Sequence, residues 1–461
     1  MSIRYYSTNR NLKNVAGIIP FTGSVSFKEA LLAGQAPDEG LFVPDSIPQL
    51  SLKDIQNLKG KPYRETALLV AKAFLADEFS TEVLAKVVKD AYNYPVPLEE
   101  VYPHAYVMRL DQGPTASFKD FAARMMARLM SHCRPQGERL NILVATSGDT
   151  GSAVGEAFQS VAGIDVTILY PASEVSLRQK KQLDTIGGNI QALSVQGKFD
   201  DCQNLVKQAF SDPVLAKFNL TSANSINFGR ILPQMIYYVY AYAHLAAPGE
   251  QIVFSVPSGN FGNALGCEYA RRMGIPVAKL VMPTNANDEF PSYLKTGTYR
   301  KVTPSRACIS NAMNVGHPSN LARFFELYGG NVDRIGYVHR YPDIEEMRQH
   351  IFSVSITDNE TRQTIKNIYE RYRIVLEQHG AVGWAGLEKY FSTISQKLLA
   401  VSLETAHPAK FPEEIEKLLG FTPELPASMK DIDQRQGGAI AMTNNYANFK
   451  NYLQNNFKIK E

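Results

Sequence analysis

Residues 141–158, NILVATSGDTGSAVGEAF, run from an unbroken apolar strand through a glycine loop straight into a helix. A strand that is apolar on both faces belongs inside a parallel sheet covered by helices on either side. The following sequence keeps that cadence, since DVTILYP, SLRQKKQLDTIG, NIQALSV and FDDCQNLVKQAF alternate strand and helix up to about residue 225. A second run begins with the apolar helix after SINFGR (225–230) and continues through QIVFSVPSG, another helix and PVAKLVMPTN. Residues 1–95 differ, carrying charged helical runs such as YRETALLVAKAFLADEF and ending at the turn-rich YPVPLEEVYP. The expected architecture is α/β, with two open parallel-sheet domains that carry helices on both faces and a mostly helical N-terminal domain at 1–95. Residues 96–134 and 226–461 are assigned to the larger sheet domain and 135–225 to the smaller.

Composition narrows the partners. With 461 residues, 44% hydrophobic and 20% charged, the chain has the profile of a globular protein of two or three domains. Its 48 basic and 45 acidic residues are interspersed, and a net charge of +3 gives no electrostatic reason to expect nucleic acid or a membrane surface. The four cysteines, Cys133, Cys202, Cys267 and Cys308, form no close pair, so no metal site is expected and a cytoplasmic location fits best. The polar opening MSIRYYSTNRNLK lacks the apolar core of a secretory signal. ILPQMIYYVYAYAHLAA (231–247) is too short and too polar for a membrane span and reads as a buried helix.

The chemistry concentrates at strand-to-helix junctions. In GPTASFKDFAARMM (113–126), Lys119 stands at the mouth of a helix whose buried side carries Phe118, Phe121, Met125 and Met126. Burial and the amide dipoles both disfavour its ammonium, and a neutral lysine amine is a nucleophile toward aldehydes. A lone lysine in such a place more often caps the helix or snorkels to solvent. Two loops weigh against that bland reading. Ser147 to Ser152 and Ser258 to Asn263 each follow a strand and open a helix, where converging amides can hold an anion. Each alone is as consistent with a tight turn, and neither has the spacing of a P-loop or of a dinucleotide fingerprint. Together with the lysine they point to two anionic groups held around one aldehyde. Lys28, in the similar VSFKE (25–29), has no such loop near it and reads as an ordinary helix-start residue.

Nine blocks in order extend this reading over nearly the whole chain: YYSTNR, APDEGLFVP, GPTASFKDFAARMM, ATSGDTGSA, SINFGR, SGNFGNALG, TNANDEF, HPSNLARF and ETAHPAKF. In these the chain resembles the threonine synthase family, fold-type II enzymes dependent on pyridoxal 5'-phosphate. The resemblance implies that Lys119 binds the cofactor aldehyde and that Gly259, Asn260, Phe261, Gly262 and Asn263 hold its phosphate. Thr405 would face the pyridine nitrogen, and Asp149 would lie near the phenolic oxygen, where related enzymes often have Asn. For the substrate it implies the loop that begins at Ser147, with Thr150, Ser176 and Lys181 as candidates to grip a phosphate and Arg178 as an alternative. Arg geometry favours Arg178 within the RQKK run.

The implied reaction is a carbon–oxygen lyase reaction on a phosphate ester. O-phospho-L-homoserine and water would give L-threonine and phosphate, through γ-elimination and addition of water at Cβ. A fold-type II threonine or serine dehydratase, or a β-replacing synthase, would share the cofactor blocks, and a non-catalytic relative could bind pyridoxal phosphate or phospho-ligands without turnover. The YYSTNR, APDEGLFVP and TNANDEF blocks favour threonine synthase over the dehydratase. Neither an effector nor a further regulatory domain is expected, and the chain is expected to act as a monomer or a homodimer.

Overall fold

The computed structural model describes residues 2–459 except 14, 16 and 397. Its larger sheet has six strands, in the order Ile351–Ser355, Val277–Thr284, Ile252–Ser255, Leu399–Glu404, Ala105–Arg109 and Leu98–Tyr102. All neighbours are parallel except the last pair, an antiparallel hairpin that closes one edge. Ile252–Ser255 and Leu399–Glu404 are buried along their whole length, as central strands covered on both faces must be.

The smaller sheet is wholly parallel, in the order Ile440–Thr443, Ile190–Gln196, Ile164–Pro171, Leu140–Ala145 and Leu220–Ser222. Its first strand corrects the expected boundary, because the chain leaves the larger domain and returns to the small sheet at Ile440. Met442 of that strand, with Phe449 and Leu453 of the helix Tyr446–Asn456, packs against Leu143, Leu193 and Cys202. Four residues at a sheet edge, half of them exposed apolar or small, carry too little pattern to be assigned from sequence.

The N-terminal region is mostly helical and adds a three-stranded antiparallel sheet with Tyr5–Ser7 between Ser24–Val25 and Phe42–Pro44. It is bolted to the loop that carries SINFGR. The buried Arg323 guanidinium donates to the carbonyls of Phe42, Ser225 and Ile226 at 2.9, 3.0 and 2.7 Å. Asn227 Nδ2 donates to Leu31 O at 2.8 Å. The buried helix expected at 231–247 is Leu232–Leu245, with Pro233 in its first turn, where a missing N–H does no harm. Among the described residues no helix is long and apolar enough to cross a membrane.

One buried acid gives the fold a pH dependence. Glu289, at the start of the helix Glu289–Thr296, has no partner for its Oε2 among the described residues, and burial pushes its carboxyl up to about 8. The native state then keeps a proton that the unfolded chain releases, so stability falls as pH rises from the ordinary carboxyl range to about 8. Glu289→Gln abolishes that loss. Relative to wild type it is expected to gain roughly 3–4 kcal/mol between about pH 5 and pH 8, read from denaturant midpoints. A difference that does not change with pH would refute the assignment.

Candidate active site

Four segments reach one cavity of about 430 Å³ between the two sheets, each from the carboxyl end of a strand. The turn after Ala105–Arg109 brings Lys119, and the loop after Leu140–Ala145 brings Ser147, Asp149 and Thr150. Ile252–Ser255 leads into Ser258 to Asn263, and Leu399–Glu404 ends beside Thr405. This is where open α/β sheets place ligands, because helix N-termini and free backbone amides converge there.

Local bonding fixes Lys119 against Thr405. Thr115 donates to Asp120 through its N–H and its hydroxyl, at 2.9 and 2.6 Å, which closes the turn ahead of the helix Lys119–Cys133. Gly113 has to be glycine, since a Cβ there would stand 2.4 Å from Asp120 Oδ2. Phe118 N–H donates to Thr405 O at 2.9 Å and His407 N–H to Ala116 O at 3.0 Å, zipping the two segments together. The Lys119 side chain is 13% exposed and its Nζ lies 3.6 Å from Asp149 Oδ2. Burial lowers its basicity, partly opposed by Asp149 and reinforced by Lys410 and Arg230.

Asp149 is a carboxylate held from behind. Its Oδ1 accepts from Lys410 Nζ at 2.8 Å and from Gln179 Nε2 at 2.7 Å. Burial alone would raise its pKa, but the two lysines and these bonds outweigh it and leave the group far below the usual carboxylate range.

The glycine loop is shaped for an anion. Phe261 sits in the left-handed region at φ 64° and turns the chain into the helix Gly262–Arg272. A Cβ on Gly259 would meet Ala312 O and Met313 Cα at 3.0 Å. Asn263 Oδ1 accepts from the hydroxyls of Tyr237 and Tyr238 at 2.5 and 2.6 Å. This aims its buried Nδ2, which has no partner among the described residues. An unsatisfied buried donor at a helix N-terminus asks for an acceptor from a bound group. These residues fit pyridoxal phosphate: a phosphate at the helix mouth, a weakly basic lysine for the aldehyde and the neutral hydroxyl of Thr405 on the same cavity wall.

The structure brings Ser147 and Thr150 to the cavity but leaves Ser176, Arg178 and Lys181 off its wall. Ser176 caps its own helix and donates to Lys410 O at 3.2 Å. Arg178 is spent on Ala409 O at 2.6 Å and Asp433 at 3.4 Å. Besides Lys119, the cations that line the cavity are Lys198, Arg306, which pairs with Asp288 at 3.0 Å, and Arg230. Of these three Arg230 is the buried one, 3% exposed, bonded to Ala223 O at 2.8 Å and paired with no carboxylate among the described residues. Burial lowers it to about 10. It stands beside Asn224 and Ser225 in the SINFGR segment, a block that sequence reading recognised without giving its arginine a role. His379 is a second omission. Its Nε2 accepts from Ala312 N–H at 3.1 Å while Nδ1 meets Glu377 at 2.5 Å, which steadies the 311–315 wall against the glycine loop. Lys28, by contrast, lies over the Phe79 ring at 4.7 Å, outside the cavity.

Three segments match family models. Residues 94–403 match the one described as pyridoxal-phosphate dependent enzyme, 4–92 the threonine synthase N terminus and 380–453 the threonine synthase C-terminal region. With the two parallel sheets and the lysine between them, this makes the chain a fold-type II pyridoxal-phosphate enzyme. Threonine synthase of Haemophilus influenzae is 38% identical over 431 residues, 93% of this chain and 96% of its own. The pyridoxal-phosphate-bound threonine synthase of Brucella melitensis superposes with a TM-score of 0.88 at 34% identity, covering 98% of this chain and 99% of that one. The Escherichia coli threonine synthase structure gives 0.86 at 32%, covering 98% and 99%. The chain belongs to the threonine synthase family.

Proposed function

We propose that the enzyme converts O-phospho-L-homoserine and water to L-threonine and phosphate. The observation that carries this reading is Arg230, a buried guanidinium without a carboxylate partner among the described residues, on the same cavity as the glycine loop and Lys119. One anion holder serves the cofactor phosphate, so a second implies a second anion, carried by the substrate.

Pyridoxal phosphate, when bound, supplies the electron sink that stabilises negative charge at the substrate carbons next to the amine. The Gly262 helix mouth and Asn263 would hold its phosphate. Thr405 would meet the ring nitrogen with a hydroxyl, which, unlike a carboxylate, would not keep a proton there. Lys119, lowered in basicity by burial, takes the α-proton of the substrate and carries protons between neighbouring carbons. Arg230 and Ser225 bind the leaving phosphate, and Ser147 and Thr150 orient the amino-acid end. An adjoining cavity of about 660 Å³ shares Phe199, Asp200, Asn224, Ser225 and Asn260 with the first and leads outward past Thr8, Ala36 and Lys207. It gives the substrate a path in, and movement of the small domain across it would shut out water during elimination. The four cysteines are free, which supports a reducing, cytoplasmic setting.

The test is stoichiometry. Purified enzyme should release threonine and inorganic phosphate in equal amounts from O-phospho-L-homoserine, and L-homoserine should barely react, because it offers a poor leaving group and leaves Arg230 unpaired. If threonine gave 2-oxobutanoate while the phosphate ester stayed inert, the reading would be wrong and a dehydratase right.

A further inference from the structure

Lys410 is a second lysine at the site that the reaction above does not use. It sits in the turn after the strand Leu399–Glu404, fully buried. Its ammonium has two acceptors, Asp149 Oδ1 and Thr115 O, both at 2.8 Å. A buried ammonium is tolerated only when paired in this way. The turn itself is clamped from the small domain, by Ser176 Oγ on Lys410 O and Arg178 Nη1 on Ala409 O. The Ser176 and Arg178 of the RQKK helix therefore hold Lys410 rather than substrate.

Two ammonium groups flank one carboxylate here. Lys410 is at hydrogen-bond distance from Asp149, whereas Lys119 is at 3.6 Å from the other oxygen and borders the cavity. Gln179 pins Oδ1 on the same side as Lys410. When one proton must leave such a cluster, it leaves from the lysine with fewer acceptors. We infer that Lys410 is a positioning residue, which draws the Asp149 carboxylate off Lys119 and so keeps the Lys119 amine free to react with the cofactor aldehyde. Without Lys410 the carboxylate would close onto Lys119 as a direct ion pair and hold it as ammonium. The other titratable groups facing Lys119 are Arg230 and Glu377, and those facing Lys410 are Asp120 and His407, whose imidazole burial makes less basic. All of them remain when Lys410 is exchanged.

The inference rests on Lys119 being the lysine that binds the cofactor, and its test separates the two. The full-length chain, stripped of cofactor, is labelled with acetic anhydride across a pH series, and the extent of acetylation of the Lys119 peptide is read by mass spectrometry. In wild type Lys119 should react at lower pH than the exposed Lys53. Lys410→Met should move its midpoint to higher pH and slow capture of added pyridoxal phosphate at neutral pH by roughly tenfold. The double exchange Lys410→Met with Asp149→Asn, which removes both charges, should bring the midpoint back toward wild type. A residue that only props up the fold would give no such return. Should Lys410→Met not fold, Asp149→Asn alone reads the same cluster and should lower the Lys119 midpoint. An unmoved midpoint in Lys410→Met, no return in the double exchange, or no lowering in Asp149→Asn overturns the role of Lys410. Borohydride reduction that fixes the cofactor on another lysine would overturn the Lys119 assignment instead, whatever the titration shows.

Discussion

Lys119→Ala is expected to lower turnover by roughly 10³-fold while the protein still folds. The loss combines removal of the proton carrier with loss of the amine that captures the cofactor. Folding should survive because Asp149 keeps Lys410 and Gln179 as partners, at 2.8 and 2.7 Å, so that no buried carboxylate is left bare. Wild-type enzyme should be yellow, lose that absorbance on borohydride treatment, and yield one reduced adduct, on the peptide that carries Lys119. Alanine at 119 should abolish the adduct. A label on Lys28, which lies against Phe79, or turnover that persists in the variant would remove Lys119 from its role.

Arg230→Gln is expected to lower kcat/KM for O-phospho-L-homoserine by roughly 10²-fold, the value of a charge-assisted hydrogen bond to phosphate in a buried setting. Inorganic phosphate should lose its power as an inhibitor to a similar degree. Arg230→Lys should recover only part of the loss, because an ammonium keeps the charge without the planar fork. Lys181→Gln provides the contrast. That side chain is off the cavity wall, and kcat/KM should stay within about twofold of wild type, as for other surface exchanges. If Lys181→Gln proved the more damaging of the two, the substrate phosphate would have to bind toward the RQKK helix and the assignment of Arg230 would fail.

Much of this protein was legible residue by residue. The apolar strand at 140–145, the glycine turn and the helix behind it lie within one short segment, and so do the Ser258 to Asn263 loop and the Lys119 turn. In each, the group that acts and the backbone that aims it are neighbours in the chain, so local patterning determines both. The family blocks rest on the same short-range logic, and for that reason they identify the class, the cofactor and the lysine.

What the chain does with its charges was settled only by packing. Arg178 is a candidate phosphate grip because a planar guanidinium suits phosphate, yet the fold hands it to the carbonyl of Ala409 and leaves Arg230 at the cavity with no carboxylate partner among the described residues. Lys410 reads as one more lysine until the turn that bears it is seen against Asp149 and Thr115. The strand Ile440–Thr443 joins the small sheet although it follows the last strand of the large one. The physical reason is common to all three. Whether a charge is free or spent, and which sheet a four-residue edge strand completes, depends on partners hundreds of residues away, whereas periodicity and spacing report only on what a residue's own neighbours require.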